Sequence, residues 1–174
     1  MLWYKVGDIT KISADAIVNA ANTRLLGGGG VDGAIHQAAG SELLAATAKL
    51  GGCPVGQSRI TSGFQLSARF VIHTVGPVWR GGNHEESAQL ASCYRTALDL
   101  AEEWQLQSVA FPAISTGIYG YPMAEAAEIA LGAVSRHPTK YVQDIIFVLY
   151  SSADYLIYKE VAAKLGIALS WWEC

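Results

Sequence analysis

Two acids, two amides, a histidine and a tyrosine stand in company that makes them candidates for chemistry. Asp8 follows an apolar run in GDIT, Asn19 and Asn22 bracket two alanines in NAAN, Asp32 and His36 fall within GGGGVDGAIH, and Tyr119 lies in STGIYGYP. Four consecutive glycines, Gly27 to Gly30, are entropically costly between ordered segments, so the backbone there must take positive φ or lie close to something. A Gly-rich loop that runs into a helix turns N–H groups and the positive end of the helix dipole toward an anion. Two Gly-rich loops predict a ligand with more than one phosphate. Asp32, at the start of a helix, has the placement of a carboxylate that only complements the dipole. Yet an acid beside an anion-binding loop repels a diphosphate, which points instead to a water that it positions or deprotonates. His36, one turn later on the same helix face, is placed to orient Asp32 or tune its pKa, and equally to form a surface ion pair or sit satisfied in the core.

The elements that must position these residues alternate along the chain. Short runs rich in β-branched and aromatic residues predict strands over Leu2 to Gly7, Ala16 to Ala21, Gln57 to Ser62, Phe70 to Gly76, Ser108 to Ile114 and Asp144 to Tyr150. Several are almost continuously apolar, as strands covered on both faces are. Helical spacing predicts helices over Val31 to Leu50, Glu85 to Trp104, Met123 to Arg136 and Ala153 to Leu165. The expectation is an α/β domain with helices on both faces of a mostly parallel sheet, the first strand or two being candidates for antiparallel pairing. With 174 residues, 51% of them hydrophobic, and no repeat or long linker, one domain spanning 1–174 is expected. In such folds ligands bind outside the carboxyl ends of the strands, which is where GDIT, NAANTRLLGGGGVDG and STGIYGYP fall.

Composition and spacing exclude several classes. The net charge of −3 without a Lys/Arg cluster argues against duplex nucleic acid as a partner. Cys53, Cys93 and Cys174 are odd in number and lack CxxC spacing, so neither a disulfide framework nor a metal site is expected, and a reducing, cytoplasmic setting is. The start MLWYKVGDIT lacks the features of a signal peptide, and no apolar stretch is long enough for a membrane helix. GxxxxGK[ST] is absent, and a Rossmann GxGxxG fits Gly28 to Gly33 badly, with an Asp inside the loop.

Taken in order, GDIT, VNAAN with GGGGVDGAIH, VIHTVGP and FPAISTGIYGYP cover most of the chain, and together they resemble the macrodomain family, specifically its MacroD-type branch of ADP-ribose-processing hydrolases. The resemblance implies a three-layer α/β/α domain around a mixed, mostly parallel central sheet that binds ADP-ribose at one end of the sheet. It further implies removal of mono-ADP-ribose from acidic side chains of proteins and deacetylation of O-acetyl-ADP-ribose, with no metal and no cofactor.

Residue by residue, the resemblance gives Asp8 the adenine amino group and the Ile9 amide a ring nitrogen, although an Asp after Gly is also ordinary turn chemistry. Asn22 matches the Asn that contacts the distal ribose. Asn19 reads better as a loop-locking amide behind the site. Gly28, Gly29 and Gly30, with the amide of Val31, let the backbone approach the distal ribose and diphosphate. Asp32 matches an Asp tied to hydrolysis. Ser115, Thr116, Gly117, Ile118 and Tyr119 wrap the diphosphate, with Tyr119 packed on the distal ribose near the scissile bond. Tyr121 and Pro122 shape that loop, and His73 reads as a core histidine. Tyr150, Asp154 and Tyr155 are candidates to cover the adenine, in a segment where relatives are more acidic and carry an Asn. The WWEC tail, Trp171 to Cys174, matches no motif and is expected to close a core edge.

The implied catalytic set is therefore Asp32, Asn22 and Tyr119, acting on a water that attacks either the ester carbonyl or the anomeric carbon of the distal ribose. Two other functions stay open at this level. One is a reader that binds ADP-ribose without cleaving it, against which the Asn22 and Asp32 pair speaks. The other is an RNA or poly(ADP-ribose) module, against which the pI near 5.8 speaks. A nicotinamide-dependent oxidoreductase is a more distant alternative.

Overall fold

The computed structural model describes residues 1–173, so Cys174 lies outside the described residues. Seven strands form one sheet: β1 (Leu2–Val6), β2 (Ala16–Ala21), β3 (Ser58–Ser62), β4 (Phe70–Val75), β5 (Ser108–Phe111), β6 (Asp144–Leu149) and β7 (Ser170–Trp171). Their order is β3-β4-β2-β5-β6-β1-β7. Every pairing is parallel except β3 with β4. The expected antiparallel strand is thus not at the start of the chain: β1 runs parallel to both β6 and β7. β3 pairs antiparallel because a short connection, Gly63 to Arg69, returns it directly to its neighbour β4, whereas parallel pairing needs a long crossover.

Among the described residues five α-helices cover the two faces: α1 (Gly30–Ala39), α2 (Ser41–Ala48), α3 (Glu86–Glu103), α4 (Met123–Arg136) and α5 (Ser152–Leu165). The period of two in the strands divides the core. Ala16, Val18, Val109, Phe111, Ile145 and Phe147 point to one side, where they meet α3, α4 and α5 through residues such as Leu90, Tyr94, Ala130 and Tyr158. Ile17, Val71, Ala110, Ile146 and Val148 point to the other, against Ile35, Ala39 and Leu43 of α1 and α2. The result is the expected α/β/α arrangement of three layers.

The helix expected over Val31 to Leu50 is two helices. Gly40, at φ +92°, ends α1 and begins α2, and a Cβ there would stand 3.1 Å from the Gln65 side chain. Neither an L side chain nor a continuous helix fits that conformation. A 3-10 turn, Ile9–Lys11, also follows β1, capped by Asp8. The tail adds β7 to the sheet edge, with the Trp172 ring edge-on to Trp3 at 5.2 Å and Trp171 half-exposed against Tyr4. Among the described residues no helix is long and apolar enough to cross a membrane.

Candidate functional site

β2 sends the chain into α1 on one face of the sheet, and its neighbour β5 sends it into α4 on the other. Loops that part in this way leave a crevice between them at the carboxyl ends of the strands. The crevice here is a cleft of about 990 Å³. It is walled by Gly7, Asp8 and Ile9 after β1, Asn22 and Gly28 to Asp32 after β2, Pro112 to Tyr119 after β5, and Tyr150 and Asp154 after β6. Asp8, Ile9, Asn22, Gly28, Gly29, Gly30, Val31, Asp32, Ser115, Thr116, Gly117, Ile118 and Tyr119, distant in sequence, are thus brought to one cavity. So are Tyr150 and Asp154.

Unpaired backbone amides and the carboxylates of Asp8, Asp32 and Asp154 contribute to its polar groups. The N–H groups of Gly30, Val31 and Asp32 open α1, and neither they nor those of Thr116 to Tyr119 donate to any protein group among the described residues. Among the described residues no Lys or Arg lines the cleft. Helix-end and loop amides without a cationic side chain are able to hold an anion through dipoles alone. Gly27 and Gly30 have φ of +85° and +59°, and a Cβ on Gly28 would stand 3.1 Å from Asp32 Oδ2 and 3.4 Å from Asn22 Nδ2. The glycine run is therefore required by conformation at two positions and by close approach at a third. At Gly29 a Cβ would meet no protein atom within 4 Å.

Asp32 is 5% exposed. Its Oδ1 accepts from Asn19 Nδ2 at 2.8 Å and lies 3.4 Å from His36 Nε2. Among the described residues Oδ2 has no hydrogen-bond partner. Asn22 is fixed by the backbone, donating through Nδ2 to Gly27 O at 3.0 Å and accepting from Arg24 N at 3.1 Å. Asp8 accepts from Thr10 Oγ1 at 2.7 Å and Thr10 N at 2.9 Å, and these bonds hold its carboxyl below the usual carboxylate range. It thus caps a turn and lines the cleft at once. Ser115 has φ +67°, and its buried Oγ has no partner in the protein among the described residues. Tyr119 is anchored through its backbone, whose carbonyl accepts from Trp79 N at 2.8 Å.

The side chains of Ile118 and Tyr150 stand out at the rim, 93% and 91% exposed. Tyr155 corrects the expectation drawn from the C-terminal segment. It lies outside the cleft lining, its ring stacked on Tyr4 at 4.1 Å, because α5 turns that position toward β1. Asn19 and His36 lie behind Asp32 rather than in the lining. Sequence reasoning missed Gly76, Pro112, Met123 and Val148, which also face the cleft. It also missed the link from Asn19 to His73. The ends of β4, β5 and β6 were the available signal for the lining, since the cleft follows strand termini.

An open α/β/α domain with an amide-lined cleft at the point where its strand order reverses is the class of protein these observations define. The chain belongs to the Macro domain family, whose pattern matches residues 18–130. It is 56% identical over 158 residues to a Macro domain-containing protein of Chlorobaculum tepidum, covering 90% of this chain and 92% of that one. Over 166 residues it is 52% identical to the O-acetyl-ADP-ribose deacetylase of Salmonella newport, with 92% and 93% covered. Among solved structures, the Oceanobacillus iheyensis macrodomain with ADP superposes with a TM-score of 0.88 at 50% identity, covering 92% of this chain and 88% of that one. The Trypanosoma brucei macrodomain in complex with ADP-ribose gives 0.83 at 44% identity, with 90% and 67% covered.

Proposed function

We propose that this chain binds ADP-ribose and hydrolyses ADP-ribosyl esters, releasing mono-ADP-ribose from acidic side chains of proteins and acetate from O-acetyl-ADP-ribose. The observation that carries the reading is Asp32: a nearly buried carboxylate with one oxygen held and the other free, in the wall of an amide-lined cleft. A carboxylate weakens the binding of a diphosphate, so its presence there argues for turnover. The 52% identity to a protein named O-acetyl-ADP-ribose deacetylase supports the same reading.

In this reading Asp8 accepts the adenine amino group, the Ile9 amide meets the ring, and Tyr150 and Asp154 flank the base. The amides of Gly28 to Val31 and of Ser115 to Tyr119 hold the diphosphate and distal ribose. Asn22 holds a ribose hydroxyl and Tyr119 packs on the sugar. Asp32 Oδ2, with the substrate diphosphate, orients a water toward the ester, and closeness of water and ester supplies much of the rate. Attack of the water oxygen on the ester carbonyl breaks the acyl C–O bond and releases the ribose hydroxyl; attack on the anomeric carbon breaks the anomeric C–O bond instead, and serves only an ester carried at that carbon. The proton taken from the water by the base is returned to the leaving oxygen, so the products are ADP-ribose and the carboxylic acid.

The test is release of ADP-ribose from a protein carrying glutamate-linked mono-ADP-ribose, by wild type and Asp32→Ala, with calorimetric titration of ADP-ribose into both. The expected result is cleavage by wild type, and a variant that binds and does not cleave. Tight binding by wild type with cleavage of neither this substrate nor O-acetyl-ADP-ribose makes the protein a reader and overturns the proposal.

A further inference from the structure

Behind Asp32, away from the cleft, a row of polar side chains runs through the sheet. Asn19 and His73 are register partners on β2 and β4, on the face shared with Ile17 and Val71. Both are 0% exposed. Asn19 Nδ2 lies 2.8 Å from Asp32 Oδ1 and 3.1 Å from His73 Nδ1. His73 Nε2 lies 2.9 Å from Thr61 Oγ1, which in turn stands 3.1 Å from the carbonyl oxygen of Ser62.

Donors and acceptors in this row fit together in one direction. An ionised Asp32 only accepts, so one Asn19 hydrogen goes to it. The other points at His73 Nδ1, which must then be the bare nitrogen. The imidazole proton sits on Nε2 and is donated to Thr61 Oγ1, whose own hydrogen goes to Ser62 O. Burial, and the neighbouring His36, hold the His73 imidazole down at about 3, so that the ring is neutral at neutral pH and one of its nitrogens is bare. Asn19 Oδ1 is buried with no protein donor among the described residues. The amide keeps this orientation although its oxygen goes unpaired, because a flip would set that oxygen against the Asp32 carboxylate.

We infer that His73 is a positioning residue for Asp32: its bare Nδ1 takes the second hydrogen of the Asn19 amide, which locks the amide so that its first hydrogen holds Asp32 Oδ1 and leaves Oδ2 free. The inference rests on the role proposed for Asp32. It assigns work to a histidine that carries no contact with the cleft.

The experiment compares wild type, His73→Leu and His73→Asn in ADP-ribose release, in calorimetric affinity for ADP-ribose and in 15N NMR of the imidazole. His73→Asn keeps an acceptor oxygen where Nδ1 stands. His73→Leu is expected to lower kcat about 10- to 100-fold, as small misplacements of a reacting group do, with the Kd for ADP-ribose within about twofold. His73→Asn is expected to recover most of kcat, and wild-type His73 to show the Nε2–H tautomer. Equal losses in the two variants, a parallel loss of affinity, or the Nδ1–H tautomer overturns the inference. If wild type cleaves nothing, the proposed function fails and the tautomer still decides the inference. If His73→Leu does not fold, wild type and His73→Asn carry the test.

Discussion

A Cβ placed on Gly33 would stand 2.5 Å from the carbonyl oxygen of Gly28, a backbone atom one helical turn away across the mouth of α1. The approach pins the glycine loop to the helix that follows it, and so sets the distance between Gly28 and Asp32. Gly33→Ala must push the loop outward. Its expected effect is a loss of about 1–3 kcal/mol in urea unfolding, the usual range for overpacking, with weaker ADP-ribose binding by calorimetry. An unchanged affinity would show that the loop can shift without disturbing the site.

Ser115 offers a cleaner separation of binding from stability. Its buried Oγ bonds to no protein group among the described residues, so removing it forfeits no internal hydrogen bond. Ser115→Ala is expected to match or slightly exceed the wild-type Tm while binding ADP-ribose up to about 10-fold more weakly, the worth of one hydrogen bond. Equal affinity in the two proteins would remove Ser115 from the ligand set.

The cleft was legible in the sequence where backbone chemistry marks it. Runs such as GGGGVDG and STGIYGYP announce loops that need bare amides, and their positions after strands put them at one end of a sheet. The break at Gly40 was hidden because Ile35, Ala39 and Leu43 keep a spacing of four straight through it, and all three are buried on the same side. Periodicity reports the buried face and is blind to a single residue at positive φ. His73 was hidden for another reason. A lone polar residue in an apolar strand has no local partner, and Asn19 lies 54 positions away, brought opposite only by the β2–β4 register. Of the three candidates to cover the adenine, Tyr155 alone lies outside the cleft lining, because proximity in sequence to the end of β6 does not fix which way a helix turns its first residues.

That last point makes a paired test at the adenine end. Tyr150 stands at the cleft rim and Tyr155 packs on Tyr4 instead. Tyr150→Ala is expected to weaken ADP-ribose binding on the order of 10-fold, as loss of a base-stacking ring does, and Tyr155→Ala to leave affinity unchanged while lowering the Tm. The reverse pattern would move the base to the other side of α5.

His73 also gives the protein a signature in mild acid. Its imidazole is held at about 3, below the ordinary 6.5. The unfolded chain therefore takes up a proton that the folded one refuses, and stability present above pH 6.5 is lost as pH falls toward 3. His36 and Asp32 on α1 and Arg59, the register partner of His73 on β3, are the ionisable groups that face it, and all three are common to wild type and variant. Urea unfolding from pH 7 to 5 should show wild type losing up to about 1.4 kcal/mol per pH unit more than His73→Asn. Parallel curves would mean that the imidazole is protonated in the folded protein.

A second, lower window belongs to Glu86, at the start of α3. This carboxylate is 1% exposed, and it accepts from Arg80 N and Gly82 N at 2.9 Å and from His84 N at 2.5 Å. Burial pushes its carboxyl up, but the backbone donors outweigh that and bring it to about 2 from 4.5. The turn it ties down carries Trp79, which donates to the Tyr119 carbonyl at 2.8 Å and packs on Tyr121 at 4.6 Å. Because the folded value is depressed, the stabilisation is present above pH 4.5 and disappears as pH falls through 2. Glu86→Gln replaces one acceptor oxygen by a donor facing N–H groups. It should lower the Tm by several degrees at pH 7, weaken ADP-ribose binding through a loosened Tyr119 loop, and flatten the acid limb of unfolding between pH 4.5 and 2. Should the acid limbs of wild type and variant coincide, the turn is held by its own backbone, and Glu86 does not support the Tyr119 side of the cleft.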